Sequence, residues 1–319
     1  MMRHVLLLSL MMNGFMCTQT GAGLSKAKKP LPPDITLHEG LVYSRADEDL
    51  KMDLYLPRRA SEPVPCVIVI QGGGFKAQDG KRFRPFAVYL AENGFAAALI
   101  AYRGQPDHTY PDTIADIKAA VRYVRKISGE YNLDAGRIGA MGRSAGATLV
   151  ALLAVTGGME EFEGEGGHSE FSSRIQAGVG YAGVYDFVAR FTDEQQISMQ
   201  PGAAAKIKSN GQWIGEPFLP GDGHWQRASA INYVDKTDVP MLLVHCEDDS
   251  VVPWPQSQDM YMKLKKAGVH TEIEYYETGG HGFRLKESKA PMARMVAFFR
   301  KTLTKQPAAE DNENATTKP

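Results

Sequence analysis

The feature that most constrains the fold of this chain is a glycine-serine turn at residues 142–146, with the sequence Gly-Arg-Ser-Ala-Gly. The apolar residues 138–141 precede it, and the largely apolar residues 147–154 follow it. A buried strand, a tight turn and a helix would therefore meet at Ser144, and the glycines permit a turn sharp enough to lift the hydroxyl off the strand end. The N–H group of Ala145 would then lie at a helix N-terminus, where it favours negative charge. The pattern predicts a nucleophilic serine.

The residue types that activate such a serine follow later in the chain, first an acid and then a histidine. Residues 241–245 form a short apolar stretch that predicts a buried strand, and the polar residues 246–253 follow it as a loop. His281 lies between two glycines, which leaves its ring room to approach another group. We assign Ser144 as the nucleophile, His281 as the general base and then acid, and Asp249 as the carboxylate that orients His281.

Three consecutive glycines form the next candidate element. Residues 67–70 are an unbroken β-branched run, as a strand covered on both faces requires, and residues 71–75 (QGGGF) follow directly. The N–H groups of Gly73 or Gly74 can join that of Ala145 in binding an oxyanion. A phosphate-binding loop is the alternative. No Gly-Lys-Ser/Thr follows, and polar residues occupy the place where a G-x-G-x-x-A motif needs a helix, so a nucleotide site is not expected.

Together these stretches resemble the esterase branch of the α/β-hydrolases that includes hormone-sensitive-lipase-like acetyl esterases and bifunctional acetylxylan/feruloyl esterases. The resemblance extends over about residues 36–303, and its main matching stretches are residues 71–75, 101–104 with Pro111 and Asp116, 142–146, 249–253 and 280–283. It implies an α/β fold with a mostly parallel twisted sheet of about eight strands and helices on both faces. It also implies cofactor-free hydrolysis of short acyl (acetyl) or feruloyl esters of plant polysaccharide or of small esters.

Three residues depart from the pattern of that family. Gln71 stands where the family usually has histidine, Ala147 where it has a second glycine, and Cys246 where it has glycine. The family histidine holds the loop rather than reacting, and a glutamine amide can also form hydrogen bonds. We therefore expect these changes to affect the shape of the acyl pocket rather than to remove catalysis.

Strand-like and helix-like stretches alternate through the rest of the chain. Residues 41–43 and 50–56 predict an initial hairpin, and residues 271–276 alternate as an edge strand does. Apolar positions at helical spacing predict an amphipathic helix over residues 112–126, so β-α-β crossovers and a mostly parallel sheet are expected. Residues 183–235 fit this alternation least and predict a small cap insertion. The aromatic residues of this insertion either stack on a sugar or phenolic acyl group or pack the insertion against the rest of the domain. We prefer the second interpretation.

Both ends of the chain are expected to lie outside the catalytic domain. Basic residues precede a short apolar run at residues 5–12, and small residues follow, which is typical of a secretory signal peptide and too short for a membrane span. The predicted organisation is a signal peptide at 1–22, a linker at 23–35, an α/β-hydrolase domain at 36–303 and a disordered tail at 304–319. The protein is then expected to be secreted or periplasmic. Bulky residues before Cys17 make a lipid anchor the less favoured alternative.

Composition and charge exclude several other classes of protein. The net charge is −1 and no basic stripe is visible, so no nucleic-acid partner is expected. The eight histidines are scattered without an H-E-x-x-H motif, and there is no paired C-x-x-C, so neither a metal nor another cofactor is expected. Cys66 and Cys246 lie near opposite ends of two predicted strands, so both are expected to be free thiols. The expected partner is a small-molecule or carbohydrate ester, and the sequence leaves the oligomeric state open.

Several alternatives stay open from the sequence. Asp248 is the next choice for the acid, and Asp186 is a more distant one. Arg143 either contacts a substrate carboxylate or pairs with a nearby acid, and we prefer the pairing. A serine peptidase of the same architecture would use the same triad, although such enzymes usually carry a propeller or a large cap. A non-catalytic binding protein with this fold would predict a lost triad member, and none is missing.

Overall fold

A computed structural model describes residues 30–221, 223–283 and 288–303, so the predicted signal peptide and tail lie outside the described residues. The strands and helices below belong to the unit Pro32–Pro319. The strands of the described part form one eight-stranded sheet: β1 Ile35–Ser44, β2 Leu50–Pro57, β3 Val64–Ile70, β4 Ala96–Ile100, β5 Leu133–Arg143, β6 Ala177–Tyr181, β7 Met241–Cys246 and β8 Thr271–Tyr276. The α-helices within the same ranges are α1 Arg84–Glu92, α2 Asp112–Lys126, α3 Ala145–Val155, α4 Ala189–Thr192, α5 Glu194–Ser198, α6 Ala203–Ile214, α7 Gly223–Arg227, α8 Pro255–Lys266 and α9 Ala290–Thr302.

The strand order is β1-β2-β4-β3-β5-β6-β7-β8, and β2 is antiparallel to both of its neighbours, while the pairs from β4 to β8 are parallel. The predicted hairpin, edge strand and helix are confirmed as β1–β2, β8 and α2. Strands β4, β6 and β7 are buried along their whole length, which is why they read as apolar runs without alternation.

Helix α3 lies at the centre of the core, and each of its residues is buried. A helix covered on all sides needs no polar face, so its sequence is apolar without a helical period. Each fully buried leucine or valine side chain stabilises the fold by about 1.5–3 kcal/mol. Ser144 therefore directly precedes a helix that is buried along its whole length.

The parallel strands bring the candidate residues to one edge of the sheet. Residues 71–75 follow β3, Ser144 follows β5, Asp249 follows β7 and His281 follows β8. Ligands of open α/β sheets bind outside the carboxyl ends of the strands, which is this edge. Cys66 and Cys246 are both buried and free, as predicted. Among the helices that the structure describes, none has the length and apolar character needed to cross a bilayer.

Candidate active site

Ser144 has a backbone conformation that few residues other than glycine adopt. Its φ of 58° and ψ of −127° place it in a sharp turn between β5 and α3, at a cost of about 1–3 kcal/mol that the surrounding structure must offset. Two close approaches hold the turn: a Cβ atom on Gly142 would overlap the carbonyl of Gly146, and one on Gly146 would overlap the carbonyl of Ile70. The Ser144 N–H also donates to the Tyr181 carbonyl at 2.8 Å. The turn therefore presents a half-buried serine side chain at the end of the sheet.

Asp249 and His281 form a hydrogen-bonded pair. His281 Nδ1 lies 2.7 Å from Asp249 Oδ2, and Asp249 Oδ1 accepts the N–H groups of Val251 at 2.8 Å and Val252 at 3.1 Å. Burial of Asp249 raises its pKa, but hydrogen bonds from His245 and His281 outweigh burial and hold the pKa well below its usual range. An ionised carboxylate only accepts hydrogen bonds, so His281 Nδ1 donates and the neutral ring keeps Nε2 as an acceptor for a hydroxyl proton.

The loop that carries His281 contacts the serine turn. Arg143, the residue before Ser144, donates from Nη1 to the carbonyl of Gly282 at 3.4 Å, one residue after His281. Between Ser144 Oγ and the His281 ring, both within the described residues, there is no hydrogen bond. Serine-histidine hydrogen bonds are often longer before substrate binds. The pairing of these two side chains therefore stays a prediction.

The environment of Arg143 differs from the preferred interpretation of its sequence position. Its hydrogen-bond acceptor is the Gly282 carbonyl, and its guanidinium lies 5.4 Å from the centre of the Phe83 ring. Burial and the nearby charge of Arg82 lower the pKa of Arg143, while the charge of Asp249 acts in the opposite direction. Arg143 therefore connects the serine turn to the histidine loop, and among the described residues it forms no ion pair.

The glycine loop after β3 lies against the serine turn. A Cβ atom on Gly72 would overlap the Arg143 carbonyl and would lie 3.1 Å from Ser144 Cβ. Gly74 has a φ of 64°, in the left-handed region that favours glycine. Ala145 begins α3, where the first N–H groups have no acceptor within the helix. The predicted oxyanion donors thus belong to two segments in van der Waals contact.

Gln71 holds this loop as expected for the residue that replaces the family histidine. Its side-chain Oε1 accepts the backbone N–H of Arg82 at 2.9 Å, and its Nε2 donates to Gln78 Oε1. The Tyr102 hydroxyl donates to the Gln71 carbonyl. A Cβ atom on Gly73 would overlap the Gln78 carboxamide, so glycine is needed there for packing.

Two further contacts of the glycine loop could not be anticipated from the sequence. Gln105 is buried, and its Nε2 donates to the Gly74 carbonyl at 2.7 Å and to the Ser209 carbonyl at 3.0 Å. Phe75 stacks on Trp213 of α6, with ring centres 3.9 Å apart. Each pair is far apart in the chain and belongs to no recognisable motif, so only the three-dimensional structure identifies it. Residues of α6 thus help to hold the candidate oxyanion loop.

The other carboxylates considered from the sequence have different partners. Asp248 accepts the N–H groups of Gly279 at 3.1 Å and Gly280 at 2.7 Å, which fixes the loop before His281. Asp186 Oδ1 accepts two backbone N–H groups at the start of α4, at 2.9 Å each. In the described residues, no group of three or more His, Cys, Asp or Glu side chains is placed to hold a metal ion.

The chain is similar to two families of hydrolases and to several curated proteins. The BD-FAE family model matches residues 52–264, and the dienelactone hydrolase family model matches residues 217–318. The probable carboxylic ester hydrolase LipM of Mycobacterium tuberculosis is 29% identical over 226 residues, which are 69% of this chain and 50% of LipM. The chain spans about half the length of the curated relatives it matches.

Solved structures of esterases are similar over most of the chain. A truncated form of a carbohydrate esterase from gut microbiota has a TM-score of 0.77 and 28% identity, and the match covers 87% of this chain and 100% of that one. An acetyl ester-xyloside bifunctional hydrolase from Caldicellulosiruptor lactoaceticus has a TM-score of 0.67 and 27% identity, with 80% of this chain and 89% of that one covered.

Proposed function

The chain belongs to the BD-FAE family and has the α/β-hydrolase fold, and from this premise we propose that it is a serine carboxylic-ester hydrolase. Ser144 is the nucleophile, His281 the general base and then acid, and Asp249 the residue that orients the imidazole. The observation that carries the proposal is the positive-φ conformation of Ser144 between β5 and α3. A strained serine at the carboxyl edge of the sheet has a clear chemical use only as a nucleophile.

The mechanism follows from the positions of these groups. Ser144 Oγ attacks the ester carbonyl while His281 Nε2 takes its proton, and Asp249 stabilises the imidazolium that forms. The N–H groups of Gly73 or Gly74 and of Ala145 bind the tetrahedral oxyanion, and losing one such donor costs about 3–4 kcal/mol of transition-state stabilisation. The imidazolium then protonates the leaving alcohol. Water, which gives a proton to His281, attacks the acyl-enzyme, and His281 returns the proton to Ser144 Oγ as the acid product leaves.

The substrate we propose is a short acyl ester, foremost an acetyl group on plant polysaccharide or on a small alcohol. Related structures named as a carbohydrate esterase and an acetyl ester-xyloside hydrolase support this substrate class. The cap aromatics Phe187, Trp213 and Trp225 are fully buried, so they pack against the body rather than offer a surface to a phenolic ring. Acetyl groups therefore suit the site better than feruloyl groups. A secreted or periplasmic location, from residues 1–22, is part of the same proposal.

The test of the reaction is hydrolysis of p-nitrophenyl acetate by the wild type and Ser144→Ala. We expect the rate of the variant to fall by at least about 10³-fold, because the nucleophile is lost. Ser61→Ala, at an exposed position, is the matched control and should keep the wild-type rate. A fluorophosphonate probe should label the wild type and not Ser144→Ala. Equal rates in the two enzymes, or labelling at another serine, would refute the assignment.

The test of the substrate class compares acetylated xylan, methyl ferulate and a p-nitrophenyl ester series of increasing acyl length. We expect kcat/KM to be highest for acetyl and to fall with longer chains, with methyl ferulate below p-nitrophenyl acetate. A preference for methyl ferulate would contradict the acetyl assignment while leaving the serine mechanism intact.

A further inference from the structure

Three consecutive carbonyl groups follow Asp249, and each accepts a hydrogen bond from a side-chain nitrogen of another part of the chain. The three bonds are Lys206 Nζ to the Ser250 carbonyl at 2.8 Å, Arg190 Nη2 to the Val251 carbonyl at 2.7 Å, and His245 Nε2 to the Val252 carbonyl at 3.0 Å. His245 belongs to β7, which carries the loop, whereas Arg190 and Lys206 belong to α4 and α6 between β6 and β7. The predicted cap segment, residues 183–235, therefore forms direct hydrogen bonds with the loop at residues 246–253, here called the acid loop.

Arg190 is a buried cation whose hydrogen-bond partners among the described residues are all neutral groups. Its side chain is only 4% exposed, and besides the Val251 carbonyl it donates to Gln200 Oε1 at 3.0 Å and to Asn210 Oδ1 at 3.1 Å. Within the described residues no carboxylate lies within 4 Å of its guanidinium. Burial lowers the pKa of Arg190 to about 10, and the charge of Asp249 opposes this shift.

Burying a cation away from any acid costs several kcal/mol, so such a residue is expected to have a compensating role. Elsewhere in the chain a buried arginine is paired with an acid: Arg103 Nη2 lies 2.6 Å from Asp116 Oδ1. The guanidinium of Arg190 instead donates to a carbonyl of the loop that contains Asp249. The charge of Lys206 acts on Asp249 in the same way, since the pKa of Lys206 is lowered by burial and by Arg190 but raised by Asp249.

The geometry of the acid loop shows what the two cations hold. Asp249 Oδ1 accepts hydrogen bonds from the N–H groups of Val251 and Val252, so the carboxylate itself binds the amide groups of the turn. Arg190 and Lys206 bind carbonyl groups of the same turn, those of Val251 and Ser250. With Oδ1 occupied, Oδ2 is the oxygen that faces His281 at 2.7 Å. A shift of the turn would move Oδ2 away from the imidazole.

We propose that Arg190 and Lys206 are positioning residues for the catalytic acid: they fix the turn after Asp249 so that its Oδ2 orients His281. This inference rests on the proposed serine mechanism, because it assigns a role to residues behind Asp249. The observed contacts of both cations are with the carbonyl groups of the turn and not with Ser144 or the His281 ring. Their loss should therefore reduce kcat and the reactivity of Ser144 while leaving KM nearly unchanged.

The experiment compares two test variants with two matched controls. Arg190→Gln keeps a polar side chain without the charge, and its control is Arg125→Gln, because Arg125 is another arginine that donates to backbone carbonyls, those of Ala135, Ser172 and Arg174, away from the site. Lys206→Met removes the second cation, and its control is Lys208→Met, an exposed lysine on the same helix. The readouts are kcat and KM for p-nitrophenyl acetate, the second-order rate of fluorophosphonate labelling, and the free energy of unfolding in urea.

We expect Arg190→Gln to lower kcat and the labelling rate by about tenfold or more, since a hydrogen bond from a charged group is stronger than one from a neutral group. Lys206→Met should lower both by roughly three- to tenfold, because Lys206 is less buried. Arg190→Lys should recover part of the loss. Both controls should keep wild-type kcat, although Arg125→Gln should unfold at lower urea.

The outcomes separate this inference from the proposed function. A wild type that neither hydrolyses the ester nor reacts with the probe would refute the serine mechanism itself. An active wild type with folded Arg190→Gln and Lys206→Met variants that keep kcat and the labelling rate would refute the positioning role alone. If Arg190→Gln does not fold, the comparison of Lys206→Met with Lys208→Met decides, and equal kcat values in that pair would overturn the inference.

Discussion

The two loops that flank the serine turn are held in different ways. The glycine loop after β3 is fixed mainly by neutral contacts, from the carboxamides of Gln71 and Gln105 and the stacking of Phe75 on Trp213. It has one cationic contact, from Arg82 Nη2 to the Gly72 carbonyl at 3.2 Å. The loop after β7 is fixed by charge, with Asp249 on its amide side and cationic side chains on its carbonyl side. Both loops contact α6, through Trp213 and Lys206 respectively.

The difference follows from what each loop must do in the proposed reaction. The glycine loop offers uncharged N–H groups to a charge that exists only in the transition state. The acid loop carries a permanent buried charge, and such a charge is tolerated only when nearby groups compensate it. The effects of substitutions in the acid loop should therefore depend on charge and pH. The effects of substitutions in the glycine loop should depend on shape.

The largest expected effect in this comparison comes from Asp249→Asn. The amide would donate a hydrogen bond to His281 Nδ1 and so favour the tautomer that cannot accept the Ser144 proton, and kcat should fall by about 10⁴-fold. Steady-state hydrolysis of p-nitrophenyl acetate measures it. Asp107→Asn, at an exposed position, should keep the wild-type rate. A loss of less than tenfold would mean that another carboxylate, Asp248 first, can serve His281.

Most of the scaffold could be predicted from the sequence, because its pattern is local. Residues 112–126 were expected to form a helix from apolar spacing alone, and α2 has these bounds. The edge strand over residues 271–276 was likewise expected from alternation and is β8. For the catalytic residues, chain order and glycine content were enough to nominate Ser144 and His281.

The supporting residues of the site could not be predicted, because their roles depend on contacts between distant segments. Arg190 lies in a short helix without a motif, and nothing in the sequence places it beside Val251, 61 positions later. Gln105 reaches Gly74 and Ser209 in the same way. Arg143 was expected to pair with an acid, and its hydrogen-bond acceptor among the described residues is the Gly282 carbonyl, 139 positions later.

In the glycine loop, Gly73→Ala should have the next largest effect. Its new Cβ would overlap the Gln78 carboxamide, so this side chain and its hydrogen bond with Gln71 must shift, and the loop that Gln71 holds would shift with them. We expect kcat to fall by about 10²-fold with a small change in KM, as for the loss of one oxyanion donor. Gly129→Ala is the control, because its Cβ would meet no atom within 4 Å. An unchanged kcat would show that Gly73 carries no oxyanion donor.

A smaller effect is expected from Gln105→Met, which keeps the size of the side chain and removes its donors to the Gly74 and Ser209 carbonyls. The loss of about one to two net hydrogen bonds should lower kcat roughly three- to tenfold. The exposed Gln258→Met is the matched control. If kcat stays constant while the free energy of unfolding falls, Gln105 contributes to stability and not to the geometry of the loop.

The smallest expected effect is the pH dependence of stability, and it separates the two loops most directly. The pKa of Asp249 in the folded protein lies below its usual value of about 3.9. Its contribution to stability is therefore fully present above about pH 5 and is lost as the pH falls through the folded-state pKa. The difference in unfolding free energy between wild type and Asp249→Asn should be constant from pH 5 to 7 and should shrink below about pH 4.

The difference in unfolding free energy between wild type and Gln105→Met should stay the same from pH 7 to below pH 4, because no titratable group is removed. Urea unfolding at half-unit pH steps measures both curves. Parallel curves for the two variants would mean that charge does not hold the acid loop, and the contrast with the glycine loop would then be one of residue type only.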